Sequence, residues 1–561
     1  MSPDAEVPIL IAGAGPAGLV LALVLLQNGV SVRIIDKEPN FRPGQRGAGL
    51  QARTLEIFSH LGILQDILAI ALNGFPRRVY KLPGGTDPLK TVSMSPSDQP
   101  TPSTPYINGL HLGQYNTEAI LRAHLEKLGC HVELGVELCG FEQYPDGVIA
   151  HVIKRAGDRE ESGIIRCHWL VGADGARGIV RKQLGLTFLG ETREDVHAVV
   201  GEIEVKGLDF EHWHQWGDFT TTLLMLRPTE NCGFFYLITG GKIDYAAIVA
   251  DREALVRHFY AATDRHDLIV GEIKWISDFR PNIRMVNKFA EGRVFVAGDA
   301  AHVHSPTGGQ GLNSSVQDSM NLGWKLALVE KGLSKASLLE TYTEERLPVI
   351  AAMLQKTTDI LNKTLEANAN TGSGDDEAWR RGGALKQLGV NYRWSSIVVD
   401  ERTPFVAEQP VDVYGGSEGE DLRAGDRAPD APGLEVVKSQ FVESTIRNTT
   451  SLFQIFRPSR HTVLIFPAIS GDIPPLLEFL RQHNQQVVLT VLILSRIASY
   501  TEEVQAADLV LSDQHGHAYA GYGISLGCLT IVAVRPDGSV GGILLGLEGL
   551  QRYLSCIFSA V

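Results

Sequence analysis

The sequence predicts an α/β fold that begins with a nucleotide-binding unit and ends with a second, smaller α/β unit. Three observations carry this prediction. A glycine-rich turn joins a short apolar strand to an apolar helix within residues 8–27, two later apolar strands end in acidic residues, and strands alternate with helices after residue 460. Alternating buried strands and helices are typical of parallel sheets that have helices on their faces.

The first motif lies near the N-terminus. Residues 8–11 read as a short buried strand, and residues 19–27 continue as an apolar helix. Between them, Gly13 permits a tight turn, Gly15 lets the backbone approach a pyrophosphate, and Gly18 allows close packing of helix on strand. The free N–H groups and the dipole at the start of the helix favour a bound phosphate.

A second apolar strand follows at residues 30–35 and ends in Asp36. The Asp36 carboxylate can accept hydrogen bonds from ribose hydroxyls. Strand, glycines, helix, second strand and terminal acid therefore stand in the order of a dinucleotide-binding unit, an order that an accidental glycine turn would not show.

Two later segments indicate which dinucleotide is bound. Residues 169–173 form an apolar strand that leads into Asp174, and residues 293–297 form another that leads into Asp299. A second glycine loop and a helix predicted over residues 314–331 come next, and the start of this helix is a second site that favours anions. Two such sites, each beside a carboxylate, fit an extended cofactor such as FAD.

Composition excludes several other classes of protein. The chain has 561 residues, of which 44 % are hydrophobic and 21 % charged, with a formal net charge of −14. The acidic balance argues against a nucleic-acid-binding protein, which needs a basic face. Six scattered cysteines without a CxxC pair indicate reduced thiols in a cytoplasmic protein, and no metal site is predicted. Residues 7–26 carry no charge, but acidic residues precede them, so we expect no membrane span.

Three segments together are distinctive: GAGPAGL, GADGARGIVR and GRVFVAGDAAHVHSPTGGQGLN. In this order they resemble the group A flavoprotein aromatic monooxygenases of the para-hydroxybenzoate hydroxylase superfamily, especially the phenol hydroxylase and polyketide hydroxylase branch. Matching segments cover most of residues 7–54, 106–186 and 290–350. The resemblance implies a Rossmann-like FAD-binding domain, an interleaved β-sheet substrate domain and a C-terminal thioredoxin-like domain.

The resemblance also implies roles for individual residues. Asp36 would bind the adenosine ribose, Asp299 the ribityl chain, and backbone N–H groups at residues 311–313 the flavin N1–C2 edge. Asp174 would be linked to both FAD and NADPH binding, and Pro306 would lie where the substrate ring meets the oxidant. The complete set of implied FAD-binding residues is Gly13, Gly15, Gly18, Asp36, Arg46, Gln114, Asp174, Asp299, Gly311, Leu312 and Asn313.

Two positions depart from the family pattern. Gly178 stands where the family has a serine after the Asp-Gly motif, and Ala48 stands where phenol hydroxylases have a carboxylate that helps to activate the phenol. The group that activates the phenol must therefore come from elsewhere. Tyr236 is one candidate, and several histidines are others.

The implied reaction is hydroxylation of a phenolic aromatic substrate, with decarboxylation where a carboxylate occupies the reacting position. NADPH or NADH would reduce FAD, and O₂ would then add at the flavin C4a to give a hydroperoxide. Two alternatives remain open at this point. One is a flavin-dependent epoxidase or halogenase on the same fold, and the other is a non-catalytic flavin-binding partner module.

Residues 191–284 are predicted to form a β-rich substrate domain. Alternation places Leu223 and Met225 on one face of a strand, and Phe234 and Tyr236 on one face of the next. These side chains could line an apolar substrate pocket, although simple core packing is an equal alternative for each of them. The predicted strands are residues 199–205, 219–226, 233–239 and 244–250.

The C-terminal third is predicted to resemble a thioredoxin-like domain. Residues 467–470 lack the CxxC that a redox-active domain would place there, so packing or dimer formation is the expected role. Predicted strands are residues 461–466, 487–495 and 528–534, and predicted helices are residues 476–483 and 547–557. The predicted domain boundaries are 1–190 with 285–365 (FAD-binding, with small β-rich substrate-domain parts near 75–112), 191–284 (substrate-binding), 366–425 (linker) and 426–561 (thioredoxin-like).

Overall fold

The structure is a computed structural model that describes all residues except 1–5, 96, 158, 194–196, 306–307, 370–381, 407–411, 417–420, 441–447, 469–472, 497–506 and 560–561. Its strands are β1 (Val7–Ala12), β2 (Val32–Asp36), β3 (Gly49–Leu50), β4 (Arg77–Tyr80), β5 (Pro88–Val92), β6 (Leu110–His111), β7 (Val132–Leu134), β8 (Val136–Gln143), β9 (Val148–Ala156), β10 (Arg159–Gly172), β11 (Leu189–Thr192), β12 (Ala198–Lys206), β13 (Trp213–Trp216), β14 (Thr222–Pro228), β15 (Phe234–Gly241), β16 (Ile269–Phe279), β17 (Asn282–Met285), β18 (Ala290–Glu291), β19 (Val294–Val296), β20 (His302–Val303), β21 (Val399–Asp400), β22 (Leu434–Ser439), β23 (Thr449–Thr450), β24 (His461–Phe466), β25 (Val488–Ser495), β26 (Leu509–Asp513), β27 (Thr530–Val534) and β28 (Val540–Leu544). Its helices are α1 (Pro16–Gln27), α2 (Ala52–His60), α3 (Leu64–Leu68), α4 (Gln114–Lys127), α5 (Ile179–Gln183), α6 (Tyr245–Ala250), α7 (Arg252–Thr263), α8 (Gly311–Glu330), α9 (Glu340–Ala369), α10 (Ile473–Arg481), α11 (His517–Gly521) and α12 (Leu547–Ile557).

The N-terminal sheet has the strand order β18-β19-β10-β1-β2-β7. Strand β1 lies at its centre and pairs in parallel with both β10 and β2, which confirms the predicted α/β architecture. Helix α1 is apolar on all sides because it is buried between this sheet and α8. Ser319 of α8 donates to the carbonyl of Ala17 at 2.7 Å, and the glycine at position 323 leaves room for Val24. The carboxyl ends of β1, β10 and β19 therefore meet at one edge.

A second sheet, which we call the substrate-side sheet, has the order β16-β12-β15-β14-β13-β4-β5. Its outer face packs against α7, where Leu224, Leu226, Phe235 and Leu237 join Phe259 in one core. The side chains that alternate with them face the N-terminal part of the chain. Trp216 belongs to the outer core as well.

One predicted strand is wrong. Residues 244–250 were expected to be extended, but Tyr245–Ala250 is the helix α6. The Asp244 carboxylate accepts a hydrogen bond from the backbone N–H of Ala247 and so caps the first turn. The Asp244 cap and the alanines favour a helix, and they outweigh the preference of Ile248 and Val249 for a strand.

The C-terminal sheet has the order β21-β28-β27-β24-β25-β26-β22-β23. Strands β24, β25 and β26 run in parallel, and β27 pairs antiparallel with β24. The predicted strand 461–466 and helix 547–557 have the observed boundaries. The thioredoxin-like assignment stays a prediction, and half of the segment 467–470 lies outside the described residues.

Buried charges join the C-terminal sheet to the N-terminal part. Arg535, after β27, makes a bidentate ion pair with Glu345 of α9 at 2.7 and 2.9 Å. Lys325 of α8 donates to the same carboxylate at 2.7 Å. All three side chains are fully buried. Arg535 also pairs with Asp537, so removing Glu345 would leave Lys325 without a carboxylate and Arg535 with one carboxylate in place of two.

Candidate active site

A cavity of about 680 Å³ opens at the carboxyl ends of β1, β10 and β19. Its position is the one that parallel α/β sheets use for ligands. The cavity runs from the first glycine turn to the start of α8, so residues far apart in sequence share one wall. The predicted site residues that line it are Gly13, Gly15, Asp36, Arg46, Gln114, Asp174, Asp299 and Leu312.

The three glycines of the first turn are required for different reasons. Gly13 has a φ of +107°, and a Cβ there would lie 2.2 Å from the carbonyl oxygen of Ala173. A Cβ on Gly18 would lie 2.0 Å from the carbonyl oxygen of Gly13. Gly15 has no protein atom within 4 Å of its Cβ position, because that position faces the cavity. The backbone at Gly15 can thus approach a ligand closely, while Gly13 and Gly18 permit the turn itself.

Asp36 holds the turn from the end of β2. One carboxylate oxygen accepts a hydrogen bond from the N–H of Ala14 and the other from the N–H of Glu38, both at 2.9 Å. Its remaining lone pairs face the cavity, where they could accept hydrogen bonds from hydroxyl groups.

The position of the Asp174 carboxylate explains why Gly178 departs from the family pattern. One of its oxygens accepts from the N–H of Val180 at 3.1 Å, and the other is buried without a partner in the described part of the chain. Burial raises the pKa of Asp174. A Cβ on Gly178 would lie 2.0 Å from this carboxylate, so the serine usual at that position does not fit beside Asp174 in this conformation.

Asp299 lies deep in the molecule, yet its side chain is exposed to the cavity. Burial raises its pKa, against the opposing effects of His302 and Arg46. Arg46, which also lines the cavity, has a backbone φ of +28°, which is unusual for a residue other than glycine. Burial lowers the pKa of its guanidinium.

A buried ion pair that the sequence analysis missed holds the Asp299 loop. Asp318 of α8 accepts hydrogen bonds from the N–H of Gly298 at 3.1 Å, from His302 at 2.7 Å and from Arg346 at 2.8 Å. Burial alone would raise the pKa of Asp318, but Arg346 and His302 lower it. The sequence held one sign of this ion pair, because Asp318 is an acidic residue within the helix predicted over residues 314–331.

Side-chain hydrogen bonds of Asn313 join the start of α8 to β3 and the residue after it. Asn313 accepts from the N–H of Gln51 and donates to the carbonyl of Gly49, both at 2.8 Å. Its side chain is therefore occupied by protein, and only the backbone there is available to a ligand. Gly311 lies against His304, and Pro306 is outside the described residues. Gln114 donates to Glu118 at 2.8 Å.

The inward face of the substrate-side sheet contacts the loop of residues 44–47, where Gly44 packs on Trp275 and Gln45 accepts a hydrogen bond from Arg227. Tyr236 and Phe234 are partly exposed on this face, whereas Leu223 and Met225 are each about 1 % exposed and so line no open pocket. Burial raises the pKa of Tyr236 to about 12, so its hydroxyl is protonated at neutral pH. Arg227, which the sequence analysis did not single out, is buried beside it.

Fold and cavity together define a class of protein: an α/β protein that binds an extended dinucleotide through a glycine turn and a second helix terminus. Open backbone at Gly15, the inward-facing carboxylate of Asp299 and the unpartnered oxygen of Asp174 fit such a cofactor. Residues 6–357 match the family model described as an FAD binding domain, and the chain belongs to this family. It is an FAD-dependent monooxygenase, with O₂ and a reduced nicotinamide as co-substrates.

Similar proteins agree with this assignment. The chain is 35 % identical over 553 residues to a flavin-dependent monooxygenase of Mycobacteroides abscessus, covering 98 % of this chain and 99 % of that protein. It is 31 % identical to pentachlorophenol 4-monooxygenase of Sphingobium chlorophenolicum, covering 84 % and 82 %. A crystal structure of aklavinone-11 hydroxylase with FAD and aklavinone has a TM-score of 0.76 and 25 % identity, with 99 % of each chain covered.

Two features are absent from the described residues. No group of three or more His, Cys, Asp or Glu side chains there could hold a metal ion. None of the helices built from those residues is long and apolar enough to span a membrane.

Proposed function

We propose that this enzyme hydroxylates a phenolic aromatic substrate bound between the FAD site and the inward face of the substrate-side sheet. The observation that carries the proposal is that Gln45, between the cavity-lining residues Gly44 and Arg46, accepts a hydrogen bond from Arg227 of the substrate-side sheet. The similar proteins named for pentachlorophenol and for aklavinone support a ring of this kind.

FAD, when bound, accepts two electrons from a reduced nicotinamide and activates O₂. The chain would hold it by backbone N–H groups of the first turn at the pyrophosphate, Asp36 at a ribose and Asp299 at the ribityl chain. N–H groups at the start of α8, near Leu312, would stabilise negative charge on the ring system. The implied contacts of Gly311, Asn313, Arg46, Gln114 and Asp174 with the cofactor remain proposals of the same kind.

The protein would contribute orientation and exclusion of water to the oxygen-transfer step. Tyr236 would donate a hydrogen bond to the substrate, which is supported by a pKa that burial raises to about 12, so that the hydroxyl keeps its proton at neutral pH. Phe234 would contact the ring. The implied role of Pro306 beside the reacting carbon is also a proposal.

The test is substrate-stimulated oxidation of NADPH and NADH by the FAD-loaded protein, with a panel of phenols and hydroxyanthraquinones. We expect at least one compound to accelerate oxidation and to gain one oxygen atom by mass spectrometry. A ring carboxylate at the reacting position would be released as CO₂, which tests for decarboxylation. Failure of every compound to gain oxygen would contradict the proposal.

Three further properties belong to this proposal. Cytoplasmic location is supported by six cysteines that are all unpaired in the structure. The net charge of −14 supports an enzyme that does not bind nucleic acid. A homodimer is proposed through the C-terminal domain, and analytical ultracentrifugation would test it.

A further inference from the structure

One carboxylate holds both sides of the Asp299 loop, which is formed by residues 298–302. The Asp318 side chain accepts hydrogen bonds from the N–H of Gly298 and from Nε2 of His302, which precede and follow Asp299 in the chain. The other ring nitrogen of His302 is buried and has no partner in the described residues. A Cβ on Gly298 would lie 2.8 Å from Oγ of Ser315, so the loop packs directly on α8. The position of the loop therefore depends on the Asp318 carboxylate.

Arg346 of α9 holds this carboxylate. Its Nε donates to Oδ1 of Asp318 at 2.8 Å, whereas the loop bonds to Oδ2. Its Nη2 donates to the carbonyl of Ser314 at 3.3 Å. Asp318 and Arg346 are both fully buried. Because a buried carboxylate without a paired charge is costly, the guanidinium determines where the Asp318 side chain lies.

The third nitrogen of the guanidinium contacts Tyr392. Nη1 of Arg346 donates to the tyrosine oxygen at 3.0 Å, and Tyr392 is 5 % exposed. The three nitrogens of one planar group thus have three different partners, namely a carboxylate, a backbone carbonyl and a phenol oxygen. Because the guanidinium is rigid, turning it away from Tyr392 also misaligns its bond to Asp318.

Tyr392 lies in the segment between α9 and β22, and the C-terminal sheet holds this segment. The backbone N–H of Tyr392 donates to the carbonyl of Gly425 at 2.8 Å, and the N–H of Gly425 donates to the carbonyl of Val540 in β28 at 2.6 Å. The next residue, Arg393, makes a bidentate ion pair with Asp426 at 2.7 and 3.0 Å. A chain of contacts therefore runs from β28 to the wall of the cavity.

A neighbouring hydroxyl offers a direct comparison. Ser395, three residues after Tyr392, is 4 % exposed and donates to Glu345 of α9 at 2.6 Å. Within the described chain, the hydrogen bonds of Glu345 reach no residue of the Asp299 loop. Two buried hydroxyls of one segment thus bond to adjacent residues of α9, but only the hydroxyl of Tyr392 is linked to the loop.

We propose that Arg346 and Tyr392 are positioning residues for FAD, which act through Asp318 to hold the Asp299 loop in its cofactor-binding position. None of the described residues after Ser315 lines the cavity, so the C-terminal sheet contributes to FAD binding without touching the cofactor. The inference rests on the proposed contact of Asp299 with the ribityl chain and extends it to residues outside the cavity. Networks of packed and hydrogen-bonded side chains carry coupling of this kind.

The test measures FAD binding by the FAD-free full chain. Quenching of flavin fluorescence gives the affinity, and visible circular dichroism reports the environment of the bound flavin. We expect Tyr392→Phe, which removes one oxygen atom, to weaken FAD affinity about 3- to 10-fold. Arg346→Lys keeps a charge beside Asp318 but loses the planar fork, and we expect about a 10-fold loss. Both variants should change the circular dichroism of the bound flavin.

The matched control is Ser395→Ala, which also deletes one buried hydroxyl between this segment and α9. It should bind FAD as wild type does, even where its melting temperature falls as much as that of Tyr392→Phe. A double-mutant cycle separates positioning from general loosening of the fold. In an Asp318→Asn background, Tyr392→Phe should weaken FAD binding by less than about twofold, because the link to the loop is already broken.

Three results would overturn the inference: unchanged FAD affinity in Tyr392→Phe, an equal loss of affinity in Ser395→Ala, or additive losses in the cycle. Asp299→Ala tests the contact on which the inference rests. If that variant binds FAD as tightly as wild type, the proposed contact of Asp299 itself fails. No substrate is present in these measurements, so their outcome does not depend on the proposed hydroxylation.

Discussion

Individual residues in the first turn illustrate how one motif combines packing with ligand contact. A Cβ on Gly18 would collide with the Gly13 carbonyl and a Cβ on Gly13 with the Ala173 carbonyl, whereas a Cβ on Gly15 would face open space. A sequence motif of three glycines cannot by itself separate these roles. The separation follows from where each missing Cβ would point.

This difference predicts opposite outcomes for two alanine substitutions. Gly18→Ala would place a Cβ 2.0 Å from the Gly13 carbonyl, so we expect a lower melting temperature of the FAD-free protein. Gly15→Ala has open space, so we expect an unchanged melting temperature but FAD affinity reduced about 10-fold or more. Differential scanning fluorimetry and flavin titration make the comparison, and equal effects of the two substitutions would contradict it.

Local motifs made some residues predictable and left others hidden. Asp36 and the glycines could be found because their function depends on neighbours within about thirty residues, where turn chemistry decides. The contact of Arg227 with Gln45 could not be found because it depends on how β14 packs against a loop 182 residues away. Asp318 was missed for the same reason, since its partners lie on two other segments, the Asp299 loop and α9.

At the scale of elements, long apolar strands and helices were predictable, and short capped helices were not. The helix Leu547–Ile557 was predicted with its observed boundaries because its amphipathic period is regular over eleven residues. Helix α6 has six residues, too few for a period, and its Asp244 cap decides its structure. The next helix, α7, also depends on a cap, from Asp251.

The cap of α7 can be tested directly. Asp251 accepts hydrogen bonds from the N–H groups of Glu253 and Ala254 at 3.1 and 2.9 Å. We expect Asp251→Ala to reduce the free energy of unfolding by about 1 kcal/mol. Asp251→Asn keeps an acceptor oxygen and should cost much less. Urea denaturation followed by circular dichroism measures both, and an equal loss in the two variants would show that the cap is not the cause.

On the scale of the whole molecule, buried charges at α8, α9 and the segment after β27 hold the C-terminal sheet on the FAD-binding part. The Glu345 carboxylate accepts hydrogen bonds from four side chains, those of Lys325, Arg535, Asn321 and Ser395. Burial alone would raise the pKa of this carboxyl, but Arg535 and Lys325 lower it. The sequence held no sign of this contact, because each partner lies in a different element.

Glu345→Gln would leave the buried Lys325 without a carboxylate and the buried Arg535 with Asp537 alone. We expect it to lower the free energy of unfolding by about 3–5 kcal/mol. Glu340→Gln, at the exposed start of the same helix, should change it by less than about 0.5 kcal/mol. Guanidinium denaturation of both variants measures the difference. A Glu345→Gln protein as stable as the control would show that the ion pairs do not hold the two parts together.

Buried histidines make the folded protein sensitive to acid. Burial lowers the pKa of His461 to about 3, with Arg535 acting in the same direction, whereas an unfolded histidine titrates near 6.5. Between these values the unfolded chain binds a proton that the folded chain does not, so stability falls as the pH drops below 6.5. At pH 5 the loss from this residue is about 2 kcal/mol.

We therefore expect the melting temperature to fall between pH 7 and pH 5. His461→Phe keeps an aromatic ring among Trp324, Tyr553 and Phe558 and removes the titrating group. The variant should show a shallower dependence of unfolding free energy on pH. A slope identical to that of the wild-type protein would mean that His461 does not titrate between the two states.

The central claim is that the chain transfers one atom of O₂ to a phenolic ring with the help of FAD. Its most direct test is mass spectrometry of the product formed by FAD-loaded protein, NADPH, isotopically labelled O₂ and a phenol that accelerates NADPH oxidation. The account predicts a product carrying a single labelled oxygen on the ring. NADPH oxidation that yields only hydrogen peroxide with every phenol tested, or a product whose new oxygen is unlabelled because it came from water, would contradict it.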